Sequence, residues 1–298
     1  MQKIFALTVV GVTIAGLGFG QIKKQFSVED NASCDKIKLT VRSNSGTCFL
    51  KPSHNPEILS VFSNQSTDDF SHQFKKTVNG KTCEVMLALE EEQSEGLSYT
   101  ISTKVFGPEK PVQEKFWKMY LTDAKPYILD LNYGVGNANI DLSGLAVQNL
   151  KINTGSADVN VSYHSGLENL IEMDTFFVRV DLGSVSAKNL SLAKPKYVMA
   201  NVGFGNLMLD LSTTPSVSNH VVGSVGAGNL IILLPSEDTP VFVKIKDSWL
   251  CSVRMTNSLN KISENTFSNA AYAKDPKNAL TFDLDVSMGN IIFKEKQN

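Results

Sequence analysis

The sequence predicts an all-β protein built as a stacked-coil β-solenoid with a less regular N-terminal β region. Three observations predict it. Apolar residues alternate with polar ones in short runs, the mark of strands with one buried face. Gly-rich turns interrupt these runs, and the alternation resumes in phase after each turn. The units return every ~20 to 30 residues, the spacing of stacked coils that bury one another. Composition agrees: hydrophobic content is 42% and charged content 19%. That is enough apolar material for a packed core.

The first twenty residues stand apart. Lys3 makes a thin positive start, Ile4 to Phe19 is an uncharged, mostly apolar run, and Gly18 and Gly20 precede Gln21. The pattern predicts a signal peptide over residues 1–20, cut before Gln21. The rival is an uncleaved anchor, for which the run is short. No Cys follows the run closely, so a lipid-linked N-terminus is not expected. No later segment is long and apolar enough to span a membrane.

Residues 21–125 read as an N-terminal antiparallel β region, either separate from the stack or an extension of it, with a soft boundary near Asp123 to Pro126. Lys36 to Pro52 resembles a degenerate corner, with Asn44-Ser45-Gly46-Thr47 between alternating runs. Asn79-Gly80 inside Lys75 to Leu89 is a strong hairpin signal. Glu90 to Glu95 is acidic. Leu97 to Phe106 and Phe116 to Leu121 read as further strands, separated by Gly107-Pro108.

Residues 126–298 read as the β-solenoid domain. Its corners are Gly134-Val135-Gly136-Asn137, Gly203-Phe204-Gly205-Asn206, Gly226-Ala227-Gly228-Asn229 and Ser287-Met288-Gly289-Asn290. Gly permits positive φ at a bend, and Asn tolerates the left-handed region. Two weaker copies are Gly155-Ser156-Ala157-Asp158 and Gly183-Ser184-Val185-Ser186. Asn137, Asp158, Ser186, Asn206 and Asn229 then follow one another at intervals of 21, 28, 20 and 23 residues. Asn189 breaks the phase of the weaker copy, and Leu190 suggests a bulge or a shifted strand there. Val241 to Lys246 and Trp249 to Met255 read as strands, and Thr256 to Asn278 as a long projecting polar loop.

No catalytic, cofactor-binding or metal-binding residue is assigned. The four cysteines, Cys34, Cys48, Cys83 and Cys251, form no C-x-x-C pair. Export permits disulfides, and the pairing stays open. Cys48 and Cys83 fall on apolar phases. Cys48 reads equally as a buried free thiol and as a disulfide partner. His54, His72, His164 and His220 have no metal-ligand spacing and read as surface or turn residues. Each Gly-x-Gly is followed by a strand, whereas a phosphate cradle needs a helix there. Calcium rolls use tandem acidic nonapeptides, which these turns are not. A net charge of -2 with no basic stripe argues against nucleic acid.

The enzymatic alternative is a carbohydrate-active enzyme on the same frame, which needs paired carboxylates on neighbouring coils. Asp130, Asp141, Asp210, Asp283 and Asp285 face outward. Asp141 and Asp210 occupy equivalent positions, four residues past Asn137 and Asn206. Polar residues are required on a solvated sheet face in any case, so the pair reads as structural. Trp117 and Trp249 could stack on sugar, but a buried or half-buried core role is expected for both.

The stretch Trp117 to Tyr163 resembles the toast-rack domains of bacterial envelope proteins. The resemblance rests on Leu129-Asp130-Leu131-Asn132-Tyr133-Gly134-Val135-Gly136, Ile140-Asp141-Leu142-Ser143-Gly144-Leu145 and Leu150-Lys151-Ile152-Asn153-Thr154-Gly155. Gly226-Ala227-Gly228-Asn229 with Leu233-Leu234-Pro235, and Met288-Gly289-Asn290-Ile291, extend it to residues 117–298. Related families are described as adhesins and as cell-wall-active antibiotic response proteins. The resemblance implies a non-enzymatic envelope protein, an adhesin-like binding or scaffold module with a link to envelope stress response. Its partner would be an envelope protein or a polysaccharide. It carries over no catalytic residue and no cofactor. This chain departs from the membrane-tethered members in having no multi-helix anchor, which sets it apart from direct kinase regulation.

Overall fold

A computed structural model describes residues 22–65, 71–90 and 115–295. The expected leader and the strand expected at 97–106 lie outside these residues. The first part contains β1 (Lys23–Glu29), β2 (Lys36–Ser43), β3 (Thr47–Pro52), β4 (Glu57–Ser63), β5 (Ser71–Asn79), β6 (Thr82–Glu90) and β7 (Phe116–Leu121). Regular coils follow, two strands to each. They are β8 (Tyr127–Tyr133) with β9 (Asn137–Asp141), then β10 (Val147–Thr154) with β11 (Asp158–Ser162). Next come β12 (Met173–Val180) with β13 (Ser184–Lys188) and β14 (Pro195–Val202) with β15 (Asn206–Asp210). β16 (Asn219–Val225) with β17 (Asn229–Leu234) completes the regular run. The last part holds β18 (Val241–Asp247), β19 (Ser252–Arg254), β20 (Asn260–Ser263), β21 (Thr266–Ser268), helix α1 (Ala270–Lys274), β22 (Leu280–Val286) and β23 (Asn290–Glu295).

Each coil gives its first strand to one sheet and its second to the other. Both sheets are parallel through the middle of the stack. The first sheet runs β20-β21-β18-β22-β16-β14-β12-β10-β8-β2-β6-β5. The second runs β1-β4-β7-β3-β9-β11-β13-β15-β17-β23-β19. The alternating residues account for this. Leu39, Leu129, Leu150, Phe176, Val198, Val221, Phe282 and Val243 share one inward row. Leu50, Ile140, Val161, Ala187, Leu209, Ile232 and Phe293 face them from the second sheet. All of these are buried in a single core cluster. A buried side chain of this size contributes about 1.5–3 kcal/mol. One coil alone would leave both flanks of its row wet, so stacking is what makes the row stable.

The degenerate corner at Asn44 to Gly46 is a true coil: β2 and β3 pair in parallel with β8 and β9. The strands before and after Asp123 to Pro126 therefore share both sheets. The N-terminal region is mixed rather than antiparallel. β5 pairs antiparallel with β6, as Asn79-Gly80 predicts, and β1, β4 and β7 are joined antiparallel. β6 and β7, however, stack in parallel on β2 and β3. That leaves the β2/β3 coil between two later pieces of chain.

In seven coils the corner is three residues long, and the structure corrects its frame in one of them. Ser184, not Ser186, is equivalent to Asn206, because Ser184 pairs with both Asp158 and Asn206. The corner is thus Asp181-Leu182-Gly183, and Leu182 is exposed. Asn189 makes no bulge. It takes a left-handed conformation, φ 52°, and starts a short 3-10 helix over Leu190–Ala193.

The reason for glycine at the corners also differs from the expectation. The third corner positions are Gly46, Gly136, Ala157, Gly183, Gly205, Gly228 and Gly289. Only Gly46 and Gly136 among them have positive φ, 93° and 109°. At Gly205 a Cβ would lie 2.2 Å from the carbonyl oxygen of Gly183, one coil away. Close stacking, not backbone handedness, requires glycine there. The asparagines that follow do not bend the turn either. Asn229 donates to Asn206, and Asn290 to Asn229, each at 2.7 Å, so they form a ladder up the stack.

Thr256 to Asn278 is not a projecting loop. β21 pairs antiparallel with β18, β20 with β21, and α1 follows. The segment covers the end of the first sheet and blunts an edge that would otherwise be open to another chain.

Cys34 and Cys83 form a disulfide across 49 residues, tying the turn before β2 to β6. Cys48 is free and buried. Burial pushes its thiol up to about 11, against a smaller opposing effect of the Ser43 hydrogen bond. Cys251 is free and half-buried. Iodoacetamide at pH 8 is therefore expected to label Cys251 and to spare Cys48 until denaturant is added. Equal labelling of both in the native protein would contradict the burial of Cys48.

Candidate functional site

The corner edge of the stack carries the most unusual surface of the described residues. The middle corner residue of each coil points outward. Successive coils place Val135, Ser156, Leu182, Phe204, Ala227 and Met288 there in line. Their backbone N–H groups donate to carbonyls of the neighbouring corner, for example Phe204 to Asp181 and Ala227 to Gly203, both at 2.8 Å. Val135, Leu182, Phe204 and Met288 are 61%, 64%, 70% and 58% exposed. Trp249, 90% exposed, and Leu250 continue the line. They are held beside it because Ser252 N donates to Gly289 O. Trp249 is thus on the surface, not in the core as expected. Trp117 is buried as expected.

Beside this apolar ridge runs a polar row on the outer face of the first sheet. Arg42, Asn132, Asn153, Arg179, Asn201, Ser224, Asp285 and Lys246 occupy successive strands in one register. Asn153 donates to Asn132 at 2.8 Å, Arg179 Nε to Asp181 at 3.0 Å, and Ser224 to Asn201 at 3.0 Å. Two shallow hollows, which share Arg179 and Asp181, lie between row and ridge. From β8 to β22 the strip crosses five strand spacings, about 24 Å. A surface this long and open suits an extended partner rather than a small molecule.

Asp141 and Asp210, the pair weighed for catalysis, do not come together. Asp141 is in β9 and Asp210 in β15, three strands apart in the second sheet. That separates them by about 14 Å, beyond the ~5–9.5 Å a glycosidase pair needs. Each ends its strand. Asp210 accepts from Ser212 N at 3.0 Å and from Asn189 N at 3.4 Å. Asp141 accepts from Ser143 N at 3.0 Å and from Ser143 Oγ at 2.6 Å. Asp130 and Asp285 form surface ion pairs with Lys151 and Lys246.

The structure does bring one Ser, His and Asp together, which local motifs could not reveal. His164 Nδ1 lies 2.8 Å from Ser143 Oγ and 3.3 Å from Asp141. The order is wrong for nucleophilic catalysis, where one imidazole nitrogen faces Ser and the other Asp. Here Nδ1 faces both, and the buried Ser143 hydroxyl donates to Asp141. The cluster clamps neighbouring strand ends. His220 hydrogen-bonds Thr281 at 2.8 Å, and His54 is exposed. His72 lies in β5, and its side chain is outside the described residues. Among the described residues no three His, Cys, Asp or Glu side chains gather as metal ligands.

Buried asparagines hold the opposite edge together, and nothing in the sequence pattern signalled them. Asn169 accepts from Val147 N at 2.8 Å and donates to Val147 O, Ile171 O and Ala193 O at 2.8, 2.9 and 3.1 Å. It therefore ties three successive coils at one point.

Stacked two-strand coils and three-residue corners, most of them closed by glycine, define a β-solenoid of toast-rack type. The family model for the N-terminal domain of toast_rack, DUF2154, matches residues 19–176, more than half of the chain, and the chain belongs to that family. Three solved structures are similar to it. One is titled a "putative cell adhesion protein" from Clostridium sporogenes ATCC 15579, 15% identical, TM-score 0.43, covering 93% of this chain and 100% of that one. Another is a "putative adhesin" from Bacteroides fragilis NCTC 9343, 13% identical, TM-score 0.40, covering 92% and 97%. A third is a "putative lipid binding protein" from Parabacteroides distasonis ATCC 8503, 12% identical, TM-score 0.36, covering 93% and 96%. No curated protein matches the chain. No helix among the described residues is long and apolar enough to cross a membrane.

Proposed function

We propose that this chain is an exported, adhesin-like module of the cell envelope that binds a partner along its corner strip and performs no catalysis. The observation that carries this reading is the ridge of Val135, Leu182, Phe204 and Met288. Exposed apolar side chains scattered singly are ordinary, but a line of them along one edge, with only the small Ser156 and Ala227 interposed, marks an interaction surface. The polar row beside it gives the arrangement of a binding face, an apolar strip with hydrogen-bonding groups along its flank. An envelope protein fits this ridge better than a polysaccharide, because the ridge offers little for hydroxyl groups. Export is supported by the leader-like run before Gln21 and by the Cys34–Cys83 disulfide, which an oxidising compartment favours.

The double variant Leu182→Ser with Phe204→Ser tests the ridge. Both side chains are in solvent, so its melting temperature is expected to stay within about 3 °C of the parent. Retention on envelope fractions of the source cells is expected to fall at least about tenfold, the equivalent of 1.4 kcal/mol. Undiminished retention would remove the ridge from the binding face. For export, N-terminal sequencing of the native protein is expected to begin at Gln21, within one residue. An intact Met1 in the membrane fraction would overturn that part.

A further inference from the structure

At the other end of the same strands, away from the corner strip, lies a groove with different chemistry. It is walled by Tyr197 on one side and by Tyr272 and Pro276 on the other, with Lys196, His220 and Thr281 between. Tyr197, His220, Thr281 and Phe242 sit in one register row across β14, β16, β22 and β18. The row spans three strand spacings, about 14 Å.

The walls are fixed aromatic surfaces. Tyr197 is 53% exposed and stands edge-on to the His220 ring, with centroids 6.0 Å apart. Tyr272 lies on Phe242 at 5.1 Å, tilted by 32°. Its helix cannot drift, because buried Asn269 caps it through Tyr272 N at 3.0 Å. The same side chain also holds Val241 N and the carbonyls of Glu237 and Thr239.

The floor is polar. Thr281 Oγ1 lies 3.2 Å from Asn219 O and 2.8 Å from His220 Nδ1, so hydroxyl and imidazole are hydrogen-bonded together on the floor. The groove's one cation is already matched: Lys196 meets Glu172 at 3.1 Å and Asp174 at 3.6 Å.

We infer that this groove binds a neutral carbohydrate chain. A pyranose ring has a C–H face that lies on an aromatic ring and an edge of hydroxyls that both donate and accept. Aromatic walls about a polar floor match those two surfaces. The matched charges count against an anionic ligand, whose groups would displace existing ion pairs. An extended peptide is disfavoured for another reason. It would need free backbone groups, yet β22 is paired with β16 and β18 on its two sides, and β18 with β22 and β21. The groove is open, so it accommodates the interior of a chain and not only its end.

The test is isothermal titration of the full mature chain with uncharged oligosaccharides of four to six units: glucans, mannans and N-acetylglucosamine oligomers. Uronate and sulfated oligomers serve as the charged set. At least one neutral oligomer is expected to bind more tightly than ~1 mM, with the charged set weaker. Tyr197→Ala and Tyr272→Ala are each expected to weaken binding at least about tenfold, equivalent to 1.4 kcal/mol. Tyr197→Trp, which keeps an aromatic face, is expected to retain it. The corner variant Leu182→Ser with Phe204→Ser should bind the oligomer unchanged, so failure of this inference is distinguishable from failure of the envelope-docking reading. The inference is overturned if no neutral oligomer binds, if only charged ones bind, or if binding survives Tyr197→Ala.

Discussion

Gly205→Val is expected to lower stability by about 3 kcal/mol or more, read as a fall in the urea midpoint at unchanged slope. A Cβ at this position would meet the Gly183 carbonyl oxygen at 2.2 Å and Val180 Cγ1 at 2.7 Å. Neither can retreat, since Gly183 is itself one rung of the stack and Val180 is buried in the core. The clash is with the first carbon, so Gly205→Ala is expected to lose most of the same amount. Gly144→Ala provides the contrast. Gly144 has φ 68° and open space around its would-be Cβ. Its substitution is expected to cost only about 1 kcal/mol, through backbone strain. If Gly144→Ala proves as damaging as Gly205→Ala, close approach is not what selects glycine at the corner.

Asn169→Ala is expected to cost about 3 kcal/mol. The side chain is fully buried and satisfies the N–H and carbonyl of Val147 together with the carbonyls of Ile171 and Ala193. Truncation removes all four bonds, three of them buried, and each orphaned buried group costs about 1–3 kcal/mol. Asn169→Asp should be no better near neutral pH, because it removes the donor and buries a charge. A loss below about 1 kcal/mol for the alanine variant would show that the coils hold together without this staple.

The inward rows were legible because period-two alternation is imposed residue by residue. Leu129, Leu131 and Tyr133 announce their face without reference to anything distant. The corners were legible as glycine clusters, but their cause was not. A glycine chosen for positive φ and one chosen because the next coil passes at van der Waals distance look alike in one dimension. The same ambiguity displaced the frame at Gly183, which is the last residue of its corner and not the first. The apolar ridge was hidden for a different reason. From Val135 to Met288 it takes a single residue from each coil, more than twenty positions apart, and no local window holds two of these. Asn169 looks in sequence like any loop asparagine, and only three-dimensional closure makes it a hub. The aromatic groove was hidden likewise: Tyr197 and His220 meet across β14 and β16, and Tyr272 joins them from a helix more than fifty residues later in the chain.

That path of β22 affects how the protein can be made. The β18/β19 pair leaves the ribosome well before β22/β23, yet its parallel neighbour in both sheets is β22/β23. Until the later strands arrive, the nascent chain must keep a gap open between β16 and β18, or let β18 dock on β16 and be displaced. Both flanks of the gap are bare strand edges of high β-propensity, the kind of surface that recruits other unfinished chains. The β2/β3 coil imposes a matching order at the opposite end, where β6/β7 and β8/β9 must settle on its two sides. Polypeptide synthesis thus runs out of step with coil order at both ends, and only the middle of the stack can zip up in the order in which it is translated.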